Sequence, residues 1–139
     1  MLVRLALVCL LSAAHLPMLN VDHASASGVE HLVISEIVTG GASASDELIE
    51  LYNPSSAALP LEGLELVYVT ASGATVSRRA AWELGAPDVG PGSHLLVANE
   101  AGIFAPIADA VYASGMAAAG GSVALRIQGG SSAIAKQER

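Results

Sequence analysis

Apolar residues recur at every second position through several short stretches of this chain, and turn-forming residues separate those stretches. A period of two places successive side chains on opposite faces of a β-strand. The stretch around which the rest is organised is Asp46-Glu47-Leu48-Ile49-Glu50-Leu51-Tyr52-Asn53-Pro54. Ile49 and Leu51 point one way, and Leu48, Glu50 and Tyr52 the other, so one face is buried and the other wet. Asn53 opens a turn and Pro54 ends the ladder. A strand with one buried face needs a second sheet to cover it.

The same alternation predicts that second sheet. Residues 31–38 are rich in β-branched side chains and end at Thr39-Gly40-Gly41, so they form a strand that pairs with residues 47–53 as a hairpin. Gly63 suits a positive φ and turns the chain into a third strand, residues 64–70, with Leu64, Leu66 and Tyr68 on one face. Ala71-Ser72-Gly73-Ala74 is a hairpin turn, and residues 75–84 return as a fourth strand with Trp82 and Leu84 on one face. A loop rich in Gly and Pro follows, and residues 93–99 form the fifth and most apolar strand. Residues 100–120 accommodate a short helix, an edge strand or both. Val123-Ala124-Leu125-Arg126-Ile127 is a further strand, and Ala133-Ile134-Ala135 a candidate last one.

Strands spaced about 10 to 15 residues apart, with turn chemistry between them and no helical period, predict an all-β sandwich. No internal repeat and no linker divides residues 27–139, which read as one domain long enough to bury a core. Residues 1–26 read differently. Arg4 precedes the apolar run Leu5-Ala6-Leu7-Val8-Cys9-Leu10-Leu11, and Ala24-Ser25-Ala26 supplies small residues for cleavage. That order is a secretory signal peptide, a short helix ahead of the sandwich, with Ser12-Ala13-Ala14 as an alternative cleavage site. The run falls short of the about 20 residues that span a bilayer. Removal takes Arg4 and Asp22, so the net charge of −7 is unchanged.

Charge and cysteine content narrow the chemistry. An acidic surface whose only adjacent basic residues are Arg78 and Arg79 disfavours nucleic acid and anionic membrane. The single cysteine, Cys9, lies in the signal, so the exported chain has no disulfide, thiol nucleophile or thiolate ligand. Val8 stands before Cys9 where a lipoprotein acceptor would carry a small residue. Glu36, Asp46, Glu47 and Glu50 are the acids that could gather around Ca²⁺. No spaced Asp/Asn loop accompanies them, and a wet sheet face accounts for them without a metal. His31 and His94 lack zinc-ligand spacing, and His94 reads as an outward-facing strand residue. No Gly-x-Ser-x-Gly elbow is present, and short loops leave little room for a cleft. Arg78-Arg79 reads as a solvated edge. Tyr52, Tyr68, Trp82 and Tyr112 could stack on sugars, but Tyr68 and Trp82 suit the core equally well.

Four pieces of sequence resemble the lamin-tail domain family in its bacterial form. Ile34-Ser35-Glu36-Ile37 followed by Glu47-Leu48-Ile49-Glu50-Leu51-Tyr52-Asn53-Pro54 is similar to its "I-N-E" and "E-W-I-E-L-Y-N" strands. Leu61-Glu62-Gly63-Leu64-Glu65-Leu66 resembles "L-S-G-W-x-L". Val89-Gly90-Pro91-Gly92-Ser93-His94-Leu95-Leu96-Val97 and Gly120-Gly121-Ser122-Val123-Ala124-Leu125-Arg126 resemble the two later motifs. Ser35, Leu48 and Leu64 depart from the usual Asn, Trp and Trp, and residues 132–139 lack the family's closing acidic and aromatic pair. The resemblance implies an immunoglobulin-like sandwich without catalytic residues. The expectation is a secreted, non-enzymatic module at the cell surface, without cofactor, that binds a protein or a cell-surface glycan. It does not insert in the membrane once the signal is cleaved. The alternative is an extracellular hydrolase or its accessory domain.

Overall fold

The computed structural model describes residues 29–130. The expected signal peptide with Cys9 and the candidate last strand at 133–135 lie outside them. Seven strands follow in order: β1 (Val33–Thr39), β2 (Glu47–Tyr52), β3 (Leu64–Thr70), β4 (Val76–Ala81), β5 (His94–Asn99), β6 (Ala110–Tyr112) and β7 (Gly121–Ile127). One 3-10 turn, Ala105–Ile107, precedes β6. Residues 100–120 therefore hold both of the elements their sequence accommodates.

Two sheets face each other, one ordered β1-β2-β5-β6 and the other β4-β3-β7. Pairing is antiparallel except between β5 and β6. The parallel pair is possible because residues 100–109 carry the chain back to the level of Leu96 before β6 pairs with β5. The Asp109 carboxylate accepts the Leu96 amide at 2.7 Å, and the Asp109 amide donates to the Leu96 carbonyl at 2.8 Å. This is an immunoglobulin-like β-sandwich.

The interior matches the alternation in the sequence. Ile49, Leu51, Leu66 and Val97 are fully buried, joined by Leu61, Tyr68, Val89 and Tyr112. Strand β2 lies between β1 and β5, so its inward residues meet the opposing sheet directly. Gly63 adopts φ +78° at the entry to β3, where its amide donates to the Trp82 carbonyl at 2.8 Å.

Three expectations are corrected. The fourth strand ends at Ala81, and Leu84 stands 88% exposed beyond it rather than beside Trp82 in the core. Leu48 lies on the outer face of β2 yet is buried, opposite Val38 and Ala98 in the ladder. An open groove of about 410 Å³ also lies between residues 30–32, just before β1, the Leu59-Pro60 segment and the end of β7, although the loops are short.

Candidate functional site

Strand β2 positions the polar groups at both ends of the sandwich. Glu47, Ile49, Leu51 and Asn53 share parity, so all four project inward. The two apolar residues fill the core, and the two polar ones sit where the core meets its ends.

At the first end the Glu47 side chain is 1% exposed. Its Oε1 accepts the Met116 amide at 2.7 Å. Its Oε2 accepts Asn99 Nδ2 at 3.0 Å and the Tyr112 hydroxyl at 3.4 Å. A buried carboxylate is tolerable only when donors replace its water, and three do so here. Burial first, and then the Glu47 charge, push the Tyr112 hydroxyl above its ordinary pKa, with Arg79 pulling the other way.

Arg79 completes this end. Its guanidinium lies 5.1 Å from the Tyr68 ring and 5.2 Å from the Tyr112 ring, and it donates to the Gly115 carbonyl at 2.8 Å. The Tyr68 hydroxyl donates to the Gly120 carbonyl at 2.8 Å and accepts the Ala117 amide at 3.1 Å. The segment between β6 and β7 is thus fastened to the sandwich by Glu47, Arg79 and Tyr68. Expectation placed Arg79 on a solvated edge; it is 4% exposed. A bulge between β3 and β4 leaves it out of the ladder and turns it inward. Its Nε has no partner.

Asp46, also buried, accepts the Ser43 amide at 2.7 Å and the Ile103 amide at 3.2 Å, joining the loops before β2 and after β5. At the other end Asn53 is fully buried and uses every polar atom of its side chain. Nδ2 donates to the Ala57 and Val89 carbonyls at 2.7 and 2.8 Å, and Oδ1 accepts the Ser55 amide and hydroxyl at 2.9 and 2.8 Å. Asn53→Ala is expected to cost about 2 kcal/mol, and Asn53→Asp about 3 kcal/mol because a carboxylate would face two carbonyls. Thermal melts of the two variants test the order; an aspartate variant as stable as the parent would discount the donor role.

The outer face of β1-β2-β5 carries a separate cluster. Ser35 Oγ donates to Glu50 Oε1 at 2.6 Å, and His94 Nδ1 lies 2.8 Å from the same oxygen. The Tyr52 and His94 rings are 4.6 Å apart. Hydrogen bonds from Ser35 and then His94 hold the Glu50 carboxyl below its usual range. The hydroxyl and the imidazole both address the carboxylate rather than each other, so no relay from serine to histidine is set up.

On the opposite sheet Glu65 is buried between Arg78 Nη2, at 2.7 Å, and Arg126 Nε, at 2.9 Å. Burial opposes its ionisation, and the hydrogen bonds from Arg78, Arg126 and the Gly129 amide outweigh that, so its carboxyl sits below its usual range. A depressed carboxyl stabilises the fold above its unfolded value and loses that contribution as pH falls. Stability is therefore expected to hold at neutral pH and to drop below roughly pH 4.5. Urea titrations from pH 7 to pH 3 check this. Glu65→Gln should be less stable at pH 7 and show a shallower acid limb; an identical limb would locate the sensitivity elsewhere.

A search among curated proteins found no match. The model of the Lamin Tail Domain family matches residues 25–137. The chain belongs to the lamin-tail domain family. This membership explains the architecture, because the family is a structural immunoglobulin-like domain.

In this lamin-tail domain the motif residues fall into distinct groups. Ile49 and Leu51 are core, with Ile34, Leu125 and Leu64 packed against it. Glu47 and Asn53 clamp the two ends. Pro54 follows the Asn53 clamp, while Pro91 and Gly92 form the turn that returns the Gly92 amide to the Asn53 carbonyl at 3.0 Å. Gly121 lies where a Cβ would run into the Tyr68 ring. Tyr52 and Glu50 are on the outer face, and Glu36 stands opposite Glu50, exposed.

The four acids considered for calcium are therefore divided. Asp46 and Glu47 are internal, and Glu36 and Glu50 are on the outer face. Among the described residues, no group of three His, Cys, Asp or Glu side chains could hold one metal ion. The four rings do not form one platform either, since Tyr68 and Tyr112 enclose Arg79 and Tyr52 stacks with His94. Parity with Ile49 was the signal that could have found the inward Glu47. Nothing in the sequence marks the inward turn of Arg79.

Proposed function

We propose that this lamin-tail domain is a secreted binding and assembly module that acts at the cell surface through a protein or glycan partner. Its buried polar groups serve the fold. Glu47, Asp46, Asn53 and Glu65 each bond to groups of the domain itself, and that use of the buried polar side chains is the observation that carries the reading. What is left for function is a surface. That surface is acidic, with a chain charge of −7, which disfavours nucleic acid and anionic membrane as partners. The signal-like order of residues 1–26 supports export, with no membrane insertion after cleavage. No cofactor enters the reading, and melting with and without a chelator checks that.

The test uses the full chain with a C-terminal tag. Export is read by recovering from the medium a product whose mass fits cleavage after Ala26; an uncleaved product retained in the cell would remove the secreted part. Binding is read as saturable attachment to intact cells and to glycan arrays. Turnover of ester or glycoside substrates that disappears in Glu50→Gln would replace this reading with a hydrolase.

A further inference from the structure

The flank between β1 and β7 has the shape of a strand-accepting groove. Each of these strands is the edge of its sheet, and the two lie alongside one another where the sheets meet. Ile37 stands opposite Ile49, which is fully buried, so it shares the inward face; it is nonetheless 43% exposed. Ile127 stands opposite Leu64 and also faces inward, yet it is 73% exposed. Inward side chains this open mean that the described residues leave the core uncovered along this flank. At one end, Leu32 before β1, Leu125 and Ile127 of β7, Leu64 and the Leu59-Pro60 segment line the groove of about 410 Å³. Ile37 and Val123 line a second of about 140 Å³ at the other. The seam is seven residues of strand long, roughly 23 Å.

Its rim is acidic on the β1 side, where Glu30 precedes the strand and Glu36 lies in it, both exposed. On the β7 side Arg126 lines the groove, with its guanidinium bound to Glu65. The Lys and Arg residues between 29 and 130 are Arg78, Arg79 and Arg126, and all three are held by the fold, at Glu65 or between two tyrosines. A second copy would bring the same Glu36 and the same net charge of −7 to the edge, and like charges beside a strand resist pairing.

We propose that this seam accepts an extended, cationic segment of a partner polypeptide as an added strand. Alternate apolar side chains of the segment cover Ile37 and Ile127, and lysine or arginine side chains between them meet the acidic rim. Strand addition of this kind draws affinity from a backbone edge that no described strand pairs with, and selectivity from the pockets below it. The inference rests on the reading of the domain as a binding module and names the surface it uses.

The test measures fluorescence anisotropy of labelled octapeptides on the full chain. One peptide alternates valine with lysine, a second serine with lysine, and a third valine with glutamate. The valine–lysine peptide is expected to bind at least roughly tenfold more tightly than either of the others. The double variant Ile37→Ser with Ile127→Ser should weaken it by at least roughly tenfold and leave the circular dichroism spectrum unchanged, because both side chains are already exposed. Equal binding of the serine–lysine peptide would reduce the effect to charge alone and overturn the proposal. Unchanged affinity in the double variant would also overturn it, while leaving a binding module that uses another face. Two further results overturn it by naming another occupant. One is a dimer that the double variant abolishes. The other is binding that appears only when residues 131–139 are removed.

Discussion

Glu47→Ala is expected to destabilise the domain by about 4 kcal/mol, a large share of the about 5–15 kcal/mol that holds a typical domain. The change removes the acceptor for the Met116 amide, Asn99 Nδ2 and the Tyr112 hydroxyl at once. Those donors lie where water does not reach, and a buried donor without a partner costs roughly 1–3 kcal/mol. Loss of the buried charge offsets part of this. The effect should also be local. The amide of Met116 and its neighbours should exchange with solvent faster than in the parent, since their fastening to β2 is gone. Urea denaturation reads the first outcome and hydrogen exchange the second. Glu47→Gln keeps the volume but presents an amide NH₂ to a set of donors, so a loss of roughly 1–3 kcal/mol is expected. A Glu47→Ala variant within about 0.5 kcal/mol of the parent would mean that Glu47 only fills space.

Gly102→Ala is expected to cost roughly 3 kcal/mol or more, enough to lower the yield of folded protein. A Cβ at this position would run into the Ser45 carbonyl oxygen and lie 2.8 Å from its carbon and 3.2 Å from the Asp46 Cα. All three are backbone atoms, so no side-chain rotation relieves the contact. The loop after β5 would have to lift from the loop before β2, and the Ile103–Asp46 hydrogen bond would go with it. Gly73→Ala is the control. Gly73 has φ +72° and nothing within 4 Å, so its substitution should cost only the backbone strain, about 1 kcal/mol. Equal melting temperatures for the two variants would show that the loops are not held that closely.

Much of the architecture was legible because it depends on local rules. Alternation at Ile49 and Leu51 located β2, and Gly63 marked the turn into β3. The Gly- and Pro-rich segment between Gly85 and Gly92 separated β4 from β5. The strand end at Ala81 was not legible, because Trp82 and Leu84 continue an acceptable alternation. What ends the strand is the chain turning away after the Trp82 amide bonds to the Leu64 carbonyl at 3.0 Å. The candidate site was legible in its residues but not in its grouping. Asp46, Glu47, Glu50 and Glu36 are close in sequence, yet two serve the interior and two the outer face.

By itself the sequence determined the strand period, the turn positions, the acidic charge and the family, since each is a property of neighbouring residues or of their order. Only the tertiary structure decided which groups the inward polar residues bond and which side chains turn inward against the alternation, and the second follows from two bulges. Ser35 is the extra residue in β1, so Ile34 and Ile37 both face the core although they are three apart. Arg79 is the extra residue in β4, which turns a charged side chain between Tyr68 and Tyr112. A bulge changes side-chain parity only where one strand meets its partner, and the partner is fixed by pairing across the whole domain.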